Sequence, residues 1–95
     1  MKRIRYLIAY DIRDPKRLRF VHKVMVGHGA PLQYSVFICD LSHAELCELK
    51  LKLRKVAKFT VDSIVVSPLG EAYDASTIQF LGARRVLPSD EPLVF

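Results

Sequence analysis

Apolar and polar positions along the chain divide it into alternating extended and helical segments. The first run, Ile4-Arg5-Tyr6-Leu7-Ile8-Ala9-Tyr10, ends on Asp11. Ile4, Tyr6, Ile8 and Tyr10 fall on one face of a strand, and Leu7 and Ala9 on the other, between Arg5 and Asp11. Apolar residues on both faces predict a central strand covered on both sides. Asp14 and Pro15 are a fitting N-cap and first helical residue. Leu18, Val21, Val24 and Met25 then make a buried stripe, with Lys16, Arg19 and Lys23 on the wet side. Arg17 sits at the edge of that stripe, where it is expected to reach across the sheet top toward Asp11. Gly27 and Gly29 stop the helix. Pro31 to Leu41 is extended, rich in β-branched and aromatic residues. Ser42-His43-Ala44-Glu45 opens a second helix with a capping box. Leu46, Leu49, Leu53, Val56 and Ala57 are its buried face, while Leu51 falls on the polar side without a sequence-level reason. Thr60 to Ser67 reads as a strand ended by Pro68 and Gly70. Thr77 to Leu81 and Leu93-Val94-Phe95 read as short strands.

Strand, helix, strand, helix, strand and a strand-bearing tail predict an α+β sandwich with both helices on one face of a sheet. A ferredoxin-like βαββαβ order follows if residues 30–41 form two strands or one bent one. The expected domain covers residues 1–82. Residues 83–95 form a tail expected to pack on a partner subunit. An extra strand without a pairing slot at home often pairs with a second copy, so a homodimer is expected.

The 95 residues suit one core, and a hydrophobic fraction of 51% excludes disorder. No window approaches a membrane span of about 18 apolar residues. Met1-Lys2-Arg3 superficially resembles the start of a signal peptide. Arg5 interrupts the apolar run and no small-residue cleavage site follows, so a cytoplasmic protein is expected. Net charge is +5, unevenly spread. Residues 1–23 carry eight basic side chains (Lys2, Arg3, Arg5, Arg13, Lys16, Arg17, Arg19, Lys23) against Asp11 and Asp14, and residues 50–58 carry five with no acid. A polyanion would approach these regions. Cys39 and Cys47 are expected to be reduced. His22, His28 and His43 are read as scattered, none pairing with Cys or Glu a helical turn away, so no zinc site is expected.

Asp11, a carboxylate at a strand mouth among cations, suits either a turn former or a magnesium ligand. Magnesium typically takes one or two protein carboxylates and several waters, so one Asp per chain suffices if a two-fold axis joins two copies. Asp14 is accounted for as a cap; Asp40 and Asp62 end other strands with no visible partner. No nucleophile elbow, P-loop or HExxH motif occurs, and no serine has a plausible triad. Tyr34, Phe37 and Tyr73 do not make the aromatic pattern of an RNA-recognition sheet.

Taken together, Tyr6-Leu7-Ile8-Ala9-Tyr10-Asp11-Ile12, Asp14-Pro15-Lys16-Arg17, Gln33-Tyr34-Ser35-Val36-Phe37-Ile38-Cys39, Leu41-Ser42, Asp62 to Leu69 and Ile78 to Gly82 resemble one family. It is the second of the two near-universal CRISPR-associated adaptation proteins, small, ferredoxin-like and classed as an endoribonuclease. The resemblance implies a homodimer in which Asp11 faces its twin and holds Mg2+. It implies that Tyr10, Arg17, Arg19 and Phe37 are linked to nuclease activity. It also implies that the dimer bridges CRISPR integrase subunits along captured duplex DNA, with the tail, residues 83–95, packing on the partner subunit or on the integrase. Pro31, Ile38, Leu18 and Phe20 stand where the family often has charged residues, departures that bear on cleavage more than on binding. The expected function is a DNA-binding adaptation subunit, with Lys16, Arg19, Lys23, Arg54, Lys55 and Lys58 on phosphates. The alternative is a magnesium-dependent endonuclease acting on single-stranded RNA or double-stranded DNA. A ferredoxin-like small-molecule regulatory domain is a third reading.

Overall fold

The computed structural model describes residues 2–71 together with Gln79, Leu81 and Gly82. Strand β1 (Ile4–Asp11) leads to helix α1 (Pro15–Val26), strands β2 (Ala30–Gln33) and β3 (Val36–Leu41), helix α2 (His43–Val56) and strand β4 (Ser63–Glu71). The order is βαββαβ. The sheet runs β2-β3-β1-β4, every neighbouring pair antiparallel, so β1 is central as expected. Of the expected strand at 77–81 only Gln79 and Leu81 are described, neither in a strand, and the expected strand at 93–95 and the tail 83–95 lie outside the described residues. Among the described residues, no helix is long and apolar enough to cross a membrane.

Local chemistry sets the helix ends. The Asp14 side chain accepts from the Arg17 N–H, Pro15 follows, and Gly27 caps the far end. At α2, Ser42 accepts from the Glu45 N–H while the Glu45 carboxylate accepts from the Ser42 N–H. Both helices lie on one face of the sheet. Val21 and Met25 from α1 and Leu46, Leu49 and Leu53 from α2 pack on Ile8, Tyr10, Phe37, Cys39 and Leu41.

Residues 30–41 form the two strands that the βαββαβ order requires, joined at Tyr34-Ser35. Two other expectations change. β4 starts later than expected and runs on through Pro68 and Gly70 to Glu71. It pairs with β1 alone among the described strands, and an edge strand tolerates a residue without an N–H. The register shifts between Arg5 and Tyr6, opposite this stretch, and Gly70 takes φ 115°, a value suited to glycine. Finally, among the described residues both helices cover the same side of β1. Register places Leu7 and Ala9 beside Val36 and Ile38 on β3 and Val65 and Ser67 on β4, with Arg5–Asp40 toward one end and Asp11 at the other. No described helix packs on this face. Leu7 and Ala9 are half-buried and Val65 is 57% exposed.

Candidate nucleic-acid interface and metal site

β1 carries Asp11 to the sheet edge, where the strand stops. Ile12 turns back into the core, 8% exposed, and Asp14 begins α1. The Asp11 carboxylate is left in solvent, its side chain 65% exposed, with the Arg13 guanidinium 3.7 Å away. Its side chain projects on the same face as Leu7 and Ala9, at the end of the open apolar surface.

Arg17 does not reach Asp11. Its guanidinium donates to both oxygens of Asp62, Nε to Oδ2 at 2.8 Å and NH2 to Oδ1 at 3.1 Å. The Asp62 side chain is wholly buried. It also accepts from the backbone N–H of Arg13 (2.9 Å) and of Lys58 (2.8 Å). The Arg17 hydrogen bond, reinforced by those two N–H groups, holds the Asp62 carboxyl far below the usual carboxylate range. The same hydrogen bond raises the Arg17 pKa. Asp62 therefore precedes β4 rather than ending a strand, and it has partners the sequence did not reveal. It ties the segment after Asp11 to the end of α2. Asp40 likewise has a partner: Arg5, opposite it on β1, grips both its oxygens at 2.8 and 2.9 Å and lowers its pKa.

Tyr10 and Phe37 belong to the core. Tyr10 is 6% exposed, and its hydroxyl donates to the Tyr34 carbonyl at 3.2 Å and lies 3.0 Å from His22 Nδ1. Burial pushes its phenol pKa well up, which keeps the proton in place. Phe37 is fully buried, stacked on Tyr10 and edge-on to His22. His22 was a missed core residue. It is 1% exposed and stacks on Tyr34, and burial lowers its pKa, so it packs as a neutral ring. Of the five side chains expected at a nuclease centre, the structure leaves Asp11 and Arg19 at the surface. It locks Arg17 onto Asp62 and folds Tyr10 and Phe37 inside.

Lys16, Arg19, Lys23, Arg54, Lys55 and Lys58 are all exposed. The Asp62 bonds bring the start of α1 beside the end of α2, so Lys16, Arg54, Lys55 and Lys58 flank one end of the molecule, the end that carries Asp11. Lys23 departs from this group. It lines a cleft of about 680 Å³ between the helices, together with Arg3 and Lys52 but also with Asp40, Glu45 and Glu48. Those three carboxylates are paired with Arg5, Arg3 and Lys52 respectively.

Comparison with known proteins agrees with this arrangement. Residues 4–77 match the family model described as CRISPR associated protein Cas2. The chain belongs to the Cas2 family. A relative from Thermodesulfovibrio yellowstonii, named CRISPR-associated endoribonuclease Cas2 2, is 42% identical over 67 residues, 70% of this chain and 74% of its own. One from Synechocystis, named CRISPR-associated endoribonuclease Cas2 3, is 42% identical over 64 residues, 67% of this chain and 70% of its own. The crystal structure of Streptococcus pyogenes Cas2 superposes with a TM-score of 0.72 at 34% identity, covering 82% of this chain and 99% of the other. A Thermus thermophilus protein described as hypothetical gives 0.75 at 26% identity, over 88% and 96% of the two chains.

Helical spacing offers one more feature that contradicts an expectation. His43 and Cys47 stand at i, i+4 on the outer side of α2, with Nε2 and Sγ 3.8 Å apart. The histidines are therefore not all isolated from cysteine.

Proposed function

We propose that this Cas2-family chain is a CRISPR adaptation subunit that acts as a homodimer, binds duplex foreign DNA and bridges integrase subunits. The observation that carries the reading is the apolar sheet face, covered by no described helix, that ends at Asp11 beside a basic end of the molecule. Half-exposed Leu7 and Ala9 beside exposed Val65 make a surface that a second copy would cover, and a two-fold contact presents the same patch twice. Two chains carry twice +5, or +10. Lys16, Arg19, Arg54, Lys55 and Lys58 would contact phosphates without reading bases, which suits captured DNA of any sequence.

The exposed Asp11 also favours a second reading, a magnesium-dependent endonuclease acting on single-stranded RNA or double-stranded DNA. Among the described residues, no three His, Cys, Asp or Glu side chains converge. The fit to magnesium is therefore one hard oxygen donor per chain, adequate only if a second copy supplies its own Asp11. Bound there, the ion would polarise a phosphodiester and activate water. Arg13 and Arg19, exposed and not engaged by Asp62 through their side chains, would hold the phosphate.

Fluorescence anisotropy with forked duplex DNA tests the primary reading. Log affinity should fall with log salt by roughly 0.9 per phosphate neutralised, and the triple variant Arg54→Glu, Lys55→Glu, Lys58→Glu should flatten that slope. An affinity unchanged between low and moderate salt would exclude it. Asp11→Asn separates the two readings. Cleavage lost with DNA binding kept assigns the metal role to Asp11, whereas undiminished cleavage removes Asp11 from it.

A further inference from the structure

The outer side of α2 carries a pair of donors that the nucleic-acid reading does not use. His43 opens the helix and Cys47 follows one turn later. Both are exposed, and Cys47 is a free thiol. Residues at i and i+4 share a helix face, and here Nε2 and Sγ approach to 3.8 Å. We propose that His43 and Cys47 chelate a borderline-soft divalent transition metal of the zinc class.

The donor separation is the main argument. Zinc binds sulfur at about 2.3 Å and imidazole nitrogen at about 2.0–2.1 Å, so a tetrahedral angle sets the two donors about 3.5 Å apart. The observed 3.8 Å opens that angle only to about 120°, using the same bond lengths. One point therefore lies at bonding distance from both atoms without any change of helix geometry. Ligand softness gives the selectivity. A thiolate and an imidazole suit zinc, cobalt or nickel, whereas magnesium prefers oxygen. This site is chemically distinct from Asp11. Water completes the coordination, since no third His, Cys, Asp or Glu joins the pair among the described residues. The other cysteine does not compete. Cys39 is fully buried and burial pushes its thiol up to about 11, which disfavours the thiolate that a metal needs.

Binding replaces the thiol proton by the metal: the S–H bond breaks, the S–metal bond forms and one proton leaves to solvent. The neutral imidazole donates through Nε2 with its proton on Nδ1. Metal occupancy therefore rises with pH.

Cobalt(II) serves as the probe, added to the full-length protein under a non-coordinating reductant, because a cobalt–thiolate bond absorbs in the near ultraviolet and a cobalt–carboxylate bond does not. The wild type should develop that band and saturate at one cobalt per chain. Cys47→Ser should lose it. His43→Ala should retain the thiol yet bind more weakly by roughly tenfold or more, the order of loss seen when a metal's surroundings are disturbed. The thiolate band of Asp11→Asn should titrate like that of the wild type, whether or not Asp11 binds cobalt without such a band. Circular dichroism would check that each variant is folded, as the exposure of both side chains leads one to expect. No band in the wild type, a band that survives Cys47→Ser, or unweakened binding by His43→Ala would each overturn the proposal.

Discussion

Asp62 shows how much one carboxylate can organise. Four hydrogen bonds from three residues converge on a side chain shut off from solvent. Its folded-state pKa is depressed, so its contribution is present above the unfolded value and is lost as pH falls through the folded one. The unfolded reference is 3.8 and the folded value lies below it. Asp62→Asn should therefore lower the melting temperature at pH 7, with the gap to wild type narrowing below pH 3.8. Thermal melts of both proteins between pH 7 and pH 2 would show this; a gap that stays constant would mean that charge is not what Asp62 contributes. No local signal announces the pairing, because Arg17 and Asp62 are 45 residues apart. Asp14, whose partner is three residues away, was legible in the sequence for the opposite reason. His43 and Cys47 are also local. Their spacing is open in the sequence, and the expectation of scattered histidines passes over it.

At the scale of the element, legibility again follows range. The start of α1 and the capping box of α2 depend on residues within one turn and could be read directly. The β2–β3 hairpin could not, since Tyr34-Ser35 carries no glycine or asparagine signal for a tight turn. What fixes it is β1: the Tyr10 N–H donates to the Ser35 carbonyl at 3.1 Å and the Tyr10 hydroxyl to the Tyr34 carbonyl at 3.2 Å. The connection from α1 into β2 is equally tertiary. A Cβ on Gly29 would collide with Cys39 Sγ and the Ile38 carbonyl, whereas one on Gly27 would meet nothing closer than 3.4 Å. Gly29→Ala should therefore destabilise by about 1–3 kcal/mol or more, as overpacking does. Gly27→Ala should be close to neutral, or stabilising by about 0.4–1 kcal/mol through the unfolded chain. Urea unfolding of the two variants gives the comparison, and equal midpoints would mean that the β2–β3 pair does not press against this turn.

At the scale of the molecule, the sequence displayed a strand with apolar residues on both faces, and the described helices cover only one of them. The helix-covered side holds Ile8, Tyr10 and Phe37, all within the core. The other side has Leu7, Ala9 and Val65 with no described helix over them. Apolar area removed from water is worth about 25 cal/mol per Å², so a face of this kind favours a second copy wherever the charges around it permit approach. The net charge of +5 on each chain opposes that approach at low salt and less so when screened. Val65 is the position to test, because at 57% exposure a charge there leaves the folded monomer intact, whereas Ile38 at 9% would not. Val65→Lys adds a cation on the β4 side of the face, beside Ala9, where a second copy packed over the face would have to bury it. Sedimentation equilibrium at moderate salt should show a wild-type dimer and a folded Val65→Lys monomer. If the variant remains a dimer, the subunits meet elsewhere, and the two Asp11 side chains need not share a metal. If it becomes a monomer and duplex affinity falls with it, the DNA surface spans both chains and the open face joins its halves.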